Sequence, residues 1–322
     1  MRISRKPMER SSRVAGGGLV SKRNGAPPRQ TGMAAFCFGL LLLSSAAHAQ
    51  PSTTPAVLDH LLCYLTAAQP LTPQLAWLQD QFDARINPNG VETIYDTRMV
   101  LFCNPAQKTV ISSVNIPTVP VVHPTAHMAM YLTTPQATAI PRSVPITNQF
   151  GAQTLITGEA EILGVPSGKT PIPANGGAVS LPPIPGTGVL DHFRCYSASG
   201  PSINTRVLLT DQFFTSSPES ALVLTPRLFC NPVTKTVPPA NCPAGQFCQV
   251  QTTPIAHPTS HMACYLISPS APFQGVVAYN NQFVPAGTLP TVELKSPVML
   301  CVPSSKSEGW TQIGSNPLAP GL

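Results

Sequence analysis

The sequence has little charge, few aromatics and no long helical periodicity. Asp, Glu, Lys and Arg make up 10% of its 322 residues, and Phe, Trp and Tyr only 6%. The charge is unevenly placed: residues 1–49 hold eight Lys/Arg and one Asp/Glu, which leaves eleven Lys/Arg against twelve Asp/Glu from Gln50 onward. The +6 balance of the whole chain therefore belongs to its N-terminal segment. The rest has no basic stripe able to follow a phosphate backbone, so nucleic acid is not an expected partner. Recognised catalytic signatures are missing too: there is no G-x-S-x-G elbow, no H-E-x-x-H, no P-loop, no C-x-x-C and no G-x-G-x-x-G. No cofactor is expected.

Long hydrophobic runs are also lacking. The one apolar stretch, MAAFCFGLLLL from Met33, is well short of the roughly 20 residues a membrane-spanning helix needs. It follows a basic segment and leads to a small-x-small site at Ala47, His48 and Ala49, the layout of a secretory signal peptide with a long n-region over residues 1–49. No membrane span is expected. Cys37 leaves with the leader, and eight cysteines remain, which in an exported chain implies disulfides. The expected location is periplasmic, cell-surface or extracellular.

What is abundant is proline, 38 residues, with 22 glycines. Short apolar runs such as RVLLTDQF and ALVLTPRLFC, broken by Pro, Gly, Asn and Ser, read as strands and turns. A proline-rich chain can be disordered, but the apolar fraction of 43% and the cysteines argue for a packed core.

The chain repeats itself. LDHLLCY at residues 58–64 matches LDHFRCY at 190–196, LFCNPAQKT at 101–109 matches LFCNPVTKT at 228–236, and HPTAHMAMY at 123–131 matches HPTSHMACY at 257–265. The repeat predicts two homologous domains, 58–170 and 190–307, joined by a Pro/Gly-rich linker at 171–189 and followed by a loose tail at 308–322 anchored only by Trp310. Each copy is itself double. Four units share His-x-x-[Cys]-Tyr, then Asp/Asn-Gln-Phe, then an apolar strand ending [Cys]-x-Pro-x-x-Lys. The fold class expected is mostly β: two disulfide-stapled domains, sandwich or barrel-like, each with an internal pseudo-twofold. Pro226 and Pro297 in the closing strands suggest edges or bulges.

Unit two alone lacks both motif cysteines, with Met130 and Gly164 in their places. Joint loss in one unit implies that the two positions bond to each other. Of 105 possible pairings of eight cysteines, this selects Cys63–Cys103, Cys195–Cys230 and Cys264–Cys301, and leaves Cys242–Cys248 as a small loop closure in copy two. Met130, a flexible apolar filler, can occupy the space of a sulfur bridge. Unit two is then expected to be the least stable quarter of the molecule.

The pattern H-x-x-C-Y … [DN]-Q-F … L-C-x-P-x-x-K, over residues 58–307, resembles a family of exported bacterial repeat domains of unknown function. The resemblance implies a bacterial exported protein with two such domains and brings no catalytic residues. Unit two departs from it at Met130 and Gly164.

The repeated polar residues are candidate sites. His123 and His127 in one HPTxH, and His257 and His261 in the other, are the candidate metal ligands, imidazole being suited to zinc or copper. Pro124 and Pro258 argue against the helix that i,i+4 chelation needs. Asp80 and Asp211 could serve as an acid–base pair, but the same position is Asn148 and Asn281 in the other units, which favours an Asx-turn role. Lys108, Lys169, Lys235 and Lys306 read as solvated turn lysines. The function expected is a non-catalytic structural or binding module for a surface, polymer or protein, since tandem sites gain avidity. The alternative is a hydrolase or metal-binding protein with its site at the domain junction.

Overall fold

The computed structural model describes residues 58–67, 74–82, 93–94, 98–111, 118–133, 140–173, 175, 177–186, 188–237, 251–268 and 272–313. Among them are sixteen strands and no helix. In chain order these are β1 (His60–Thr66), β2 (Gln74–Leu75), β3 (Trp77–Gln79), β4 (Thr93–Ile94), β5 (Met99–Val110), β6 (His127–Leu132), β7 (Arg142–Asn148), β8 (Gly151–Pro171), β9 (His192–Ser199), β10 (Thr205–Thr210), β11 (Glu219–Val237), β12 (Gln251–Thr253), β13 (His261–Ile267), β14 (Gly275–Asn280), β15 (Thr291–Lys306) and β16 (Thr311–Gln312).

Eight of these strands close a ring. β1 pairs with β5, β5 with β6, β6 with β8, β8 with β9, β9 with β11, β11 with β13, β13 with β15, and β15 returns to β1, every pairing antiparallel. Each sequence unit supplies two consecutive ring strands, the first carrying His-x-x-[Cys]-Tyr and the second [Cys]-x-Pro-x-x-Lys. The all-β, disulfide-stapled character expected from sequence is what the chain adopts.

The two copies, however, do not pack as two separate bodies. Copy one supplies β1 to β8 and copy two β9 to β15, and the ring closes only through β8–β9 and β15–β1. The interleaving goes further. β10 lies between β11 and β5, β14 between β15 and β8, and β7 between β8 and β15, while β3 pairs with β11. Each of these cross strands thus hydrogen-bonds the unit opposite its own. Residues 51–322 cluster as one compact unit. The physical reason is edge satisfaction: four antiparallel strands from one copy would leave two open edges, and a second copy closes both.

Strand alternation divides the core in two. One face of all eight ring strands converges on Leu61, Cys63, Cys103, Met128, Met130, Ile162, Phe193, Cys195, Cys230, Met262, Cys264 and Cys301, all buried. The disulfides Cys63–Cys103, Cys195–Cys230 and Cys264–Cys301 each join residues directly opposite in the pairing register. Cys63 Sγ approaches Cys301 Sγ to 3.8 Å, so adjacent bridges touch. Their sequence separations of 40, 35 and 37 residues correspond to about 3–4 kcal/mol each in the chain-entropy account. They are consistent with an oxidising, exported environment. Cys242 and Cys248 lie outside the described residues.

Unit two keeps the geometry without the bond. Met130 stands opposite Gly164 in the register that elsewhere joins two cysteines. A Cβ on Gly164 would lie 2.6 Å from Met128 Sδ. Two methionines therefore fill the missing bridge, Met128 from the side and Met130 from across the ladder.

The opposite face of the ring packs beneath the cross strands through Tyr64, Phe102, Tyr131, Tyr196, Phe229 and Tyr265, with Phe82 and Phe283 above. Pro226 and Pro297 sit at register shifts, opposite Tyr265 and Tyr64. They mark bulges that bend ring strands, not edges. Trp310 is buried against Phe82 at 4.9 Å, and β16 just beyond it pairs with β7. No helix among the described residues is long and apolar enough to cross a membrane.

Candidate functional site

The repeated polar residues are used between units. Asp80 Oδ1 accepts from the Phe82 amide at 2.7 Å, closing an Asx-turn, and Oδ2 accepts from the Tyr196 hydroxyl at 2.9 Å and Asn231 Nδ2 at 3.2 Å. Asp211 mirrors this with the Phe213 amide at 2.8 Å, the Tyr64 hydroxyl at 2.8 Å and Asn104 Nδ2 at 3.0 Å. In the other two units the chemistry inverts. Asn148 Nδ2 donates to the Tyr265 hydroxyl (2.8 Å) and to Ser304 Oγ (3.1 Å), and Asn281 Nδ2 donates to the Tyr131 hydroxyl (2.8 Å) and to Ser167 Oγ (3.0 Å). A carboxylate faces two donors and an amide faces two hydroxyls. The Asp/Asn alternation is explained by the neighbours, and no acid–base pair results.

The closing lysines depart from the expectation of solvated turn residues. Lys108 and Lys235 are 1% and 0% exposed. Each unit's ammonium lies over the Asx-turn Phe of the next unit: Lys108 over Phe150 at 4.2 Å, Lys169 over Phe213 at 4.1 Å, Lys235 over Phe283 at 4.5 Å, and Lys306 over Phe82 at 4.9 Å. A cation in dry surroundings is costly but recovers part of that cost from the ring faces. Lys169 also donates to Asn104 Oδ1 at 2.7 Å. Burial pulls Lys108, Lys169 and Lys235 down to about 7.

The four motif histidines stand at the starts of their ring strands. Burial, with the neighbouring motif lysine as a further cause, lowers His60, His192 and His261 to about 3 and His127 to about 2, so all four are neutral. His60 Nε2 meets Gln149 Oε1 at 3.0 Å, and His192 meets the Gln282 amide. His127 and His261 rest against Phe102 and Phe229.

His123 and His257 lie in turns whose backbones are held by a carboxylate. Asp59 accepts from the Val122 and His123 amides at 2.7 and 2.6 Å, and Asp191 accepts from the Ala256 and His257 amides, both at 2.8 Å. Sequence reasoning missed this role for Asp59 and Asp191. The available signal was that LDH occurs only in units one and three and HPT only in units two and four. Among the described residues no group of three or more His, Cys, Asp or Glu side chains is placed to hold a metal.

One cleft joins the two copies. Its volume is about 310 Å³, and its lining includes Leu58, His60 and Gln149 from copy one and Ser260, His261 and Ser305 from copy two. Ser260 Oγ and the Nδ1 atoms of His60 and His261 are buried there without a hydrogen-bond partner. Among the described residues the lining carries no carboxylate or ammonium, only hydroxyl, amide and imidazole groups among apolar ones. No protein-family model, curated protein or solved structure matches this chain.

Proposed function

We propose that this is an exported, non-catalytic binding or structural module of a bacterial envelope or secreted assembly, and that its ligand contact is the cleft between the copies. The observation that carries this reading is how the repeated side chains are used. Asp, Asn, Lys, Tyr and His of the motif face one another across unit boundaries, so the residues that recur four times are those that lock the ring. The three bridges support an extracytoplasmic setting, and the leader-like residues 1–49 support export. The four-unit motif supports membership of the bacterial repeat-domain family it resembles.

The competing reading, a hydrolase or metal protein, has one observation on its side: Ser260 and His261 are adjacent, buried and incompletely partnered in the cleft. Elemental analysis and an ester-hydrolysis screen of the purified oxidised protein separate the two. The binding-module reading expects neither stoichiometric zinc or copper nor turnover. Metal lost on His257→Ala/His261→Ala, or turnover lost on Ser260→Ala, would overturn it.

A further inference from the structure

The cleft has a counterpart. Under the copy-to-copy relation Leu58 corresponds to Leu190, His60 to His192, Gln149 to Gln282, Val119 to Thr253 and Pro303 to Pro166. These corresponding residues line a smaller cavity of about 220 Å³, and there one wall is the linker itself, through Ile184, Pro185, Gly186 and Gly188. The linker is fixed at its entry by Asn280 Nδ2, which donates to the Pro182 carbonyl at 3.0 Å. It passes so close over β8 that a Cβ on Gly168 would collide with the Pro183 carbonyl. The molecule thus displays, at one of two equivalent grooves, the kind of chain that lies against it: uncharged and proline-containing.

We propose that the cleft beside Leu58 is a seat for such a segment, and that its resident occupant is this chain's own residues 51–57. Residues 183–189, PIPGTGV, lead directly into Leu190, and residues 51–57, PSTTPAV, lead directly into Leu58. Pro51 corresponds to Pro183 and Val57 to Val189, and neither stretch carries a charge, which suits a groove lined by hydroxyl, amide and imidazole groups. An extended proline-containing backbone leaves its carbonyls and remaining amides free, and the cleft holds Ser260, His60 and His261 with polar atoms unpartnered. The correspondence ends at the mouth. Ser305 stands where Gly168 is, and Thr147 where Asn280 is, so the close crossing made by Pro183 has no counterpart. The proposed seat is therefore confined to the stretch nearest Leu58.

This rests on the reading of the cleft as a binding site, makes residues 51–57 the intramolecular occupant that an outside ligand must displace, and is tested apart from that reading. Amide exchange is compared between chains 50–322 and 58–322 with the disulfides intact. Deletion is expected to speed exchange at residues 147–149 and 303–305 by about tenfold or more, while β9 and β11 stay unchanged. A synthetic QPSTTPAV peptide added to the shorter chain should restore protection, and the peptide with Pro51→Ala and Pro55→Ala should restore less. Unchanged exchange on deletion overturns the proposal, including the case in which the peptide still binds. Should the shorter chain fail to fold, a nitroxide on Thr53→Cys of the 50–322 chain serves instead. Broadening of Gln149 and Ser305 resonances supports the seat, and its absence refutes it. Metal content and turnover are unaffected by either result, so a failed seat leaves the non-catalytic reading to stand or fall on its own test.

Discussion

The Tyr64 hydroxyl donates to Asp211 Oδ2 at 2.8 Å across 147 positions of sequence, and the Tyr196 hydroxyl donates to Asp80 Oδ2 at 2.9 Å in return. Units one and three are clasped by an exchanged pair of hydrogen bonds, and units two and four repeat the exchange with Asn281–Tyr131 and Asn148–Tyr265. Each clasp crosses the ring, so neither copy satisfies its own polar core.

Polarity matching within a clasp can be tested by substitution. Asp80→Asn sets an amide donor against Asn231 Nδ2, itself a donor, in a fully buried site. The expected loss is about 1–3 kcal/mol, the usual cost of a buried polar group left unsatisfied. Units two and four have Val where Asn231 stands and Ser where Val233 stands. The triple variant D80N/N231V/V233S should therefore recover most of the loss. Urea denaturation under oxidising conditions reads both numbers. A D80N loss that the added substitutions do not relieve would mean the network is not what sets the Asp/Asn choice.

Unit two should be the least protected quarter of the ring, because it alone relies on Met128 and Met130 where the others have a bridge. Native-state hydrogen exchange over β6 and β8 against β13 and β15 measures this directly. Equal protection would show that the methionines stabilise as well as a disulfide does.

The missing bridge can be supplied. Met130 and Gly164 already face each other in register, and Met262 sits beside the Cys264–Cys301 bridge at the position equivalent to Met128. Met130→Cys/Gly164→Cys should form a fourth bridge once the flexible end of Met128 swings aside, raising stability by about 2–4 kcal/mol. Mass spectrometry of the oxidised variant and its denaturation midpoint, with and without reductant, decide the matter.

These bridges also show what the sequence could reveal. Four units, three pairings and the all-β character were legible because duplication kept the motifs aligned and because two cysteines vanished together. The closed ring was not legible. Strand periodicity tells which face of Leu61 or Cys63 is inward, but not that β8 would pair with β9 across the copy boundary. The burial of Lys108 and Lys235 was hidden for a related reason: each lies over a Phe of the following unit, a partner about 40–50 positions away. A site at the junction of the copies was one of the readings the sequence allowed, but the cleft's lining was not legible, because Ser260, Ser305 and Thr147 belong to no repeated polar motif.

Acid should destabilise the fold through its histidines. His60, His127, His192 and His261 are lowered to about 2–3 in the folded chain, against an unfolded value near 6.5. Between these limits the unfolded chain binds more protons, so stability rises with pH across that window and falls as pH drops through it. Unfolding at pH 5 should take up close to four protons from these groups. Calorimetry in buffers of different ionisation enthalpy counts them. An uptake near zero would place the imidazoles in contact with water.

The buried lysines extend the same argument to higher pH and allow a sharper test. Lys108 and Lys235 carry Nζ atoms with no hydrogen-bond partner, and burial lowers both to about 7 in the folded chain. Below pH 7 both states hold the proton, and the full cost of burying an ammonium falls on the folded state. As pH climbs toward the unfolded value near 10.4, the folded amine is neutral while the unfolded one is still charged, and the cost fades. Lys235→Met keeps the aliphatic stem against Phe283 and removes the charge. It should raise the melting temperature most at pH 6, and progressively less up to pH 10. A gain that does not vary with pH would mean that Lys235 keeps its proton in the folded chain as it does in the unfolded one. A loss at pH 6 would mean that the Phe283 ring face more than offsets desolvation.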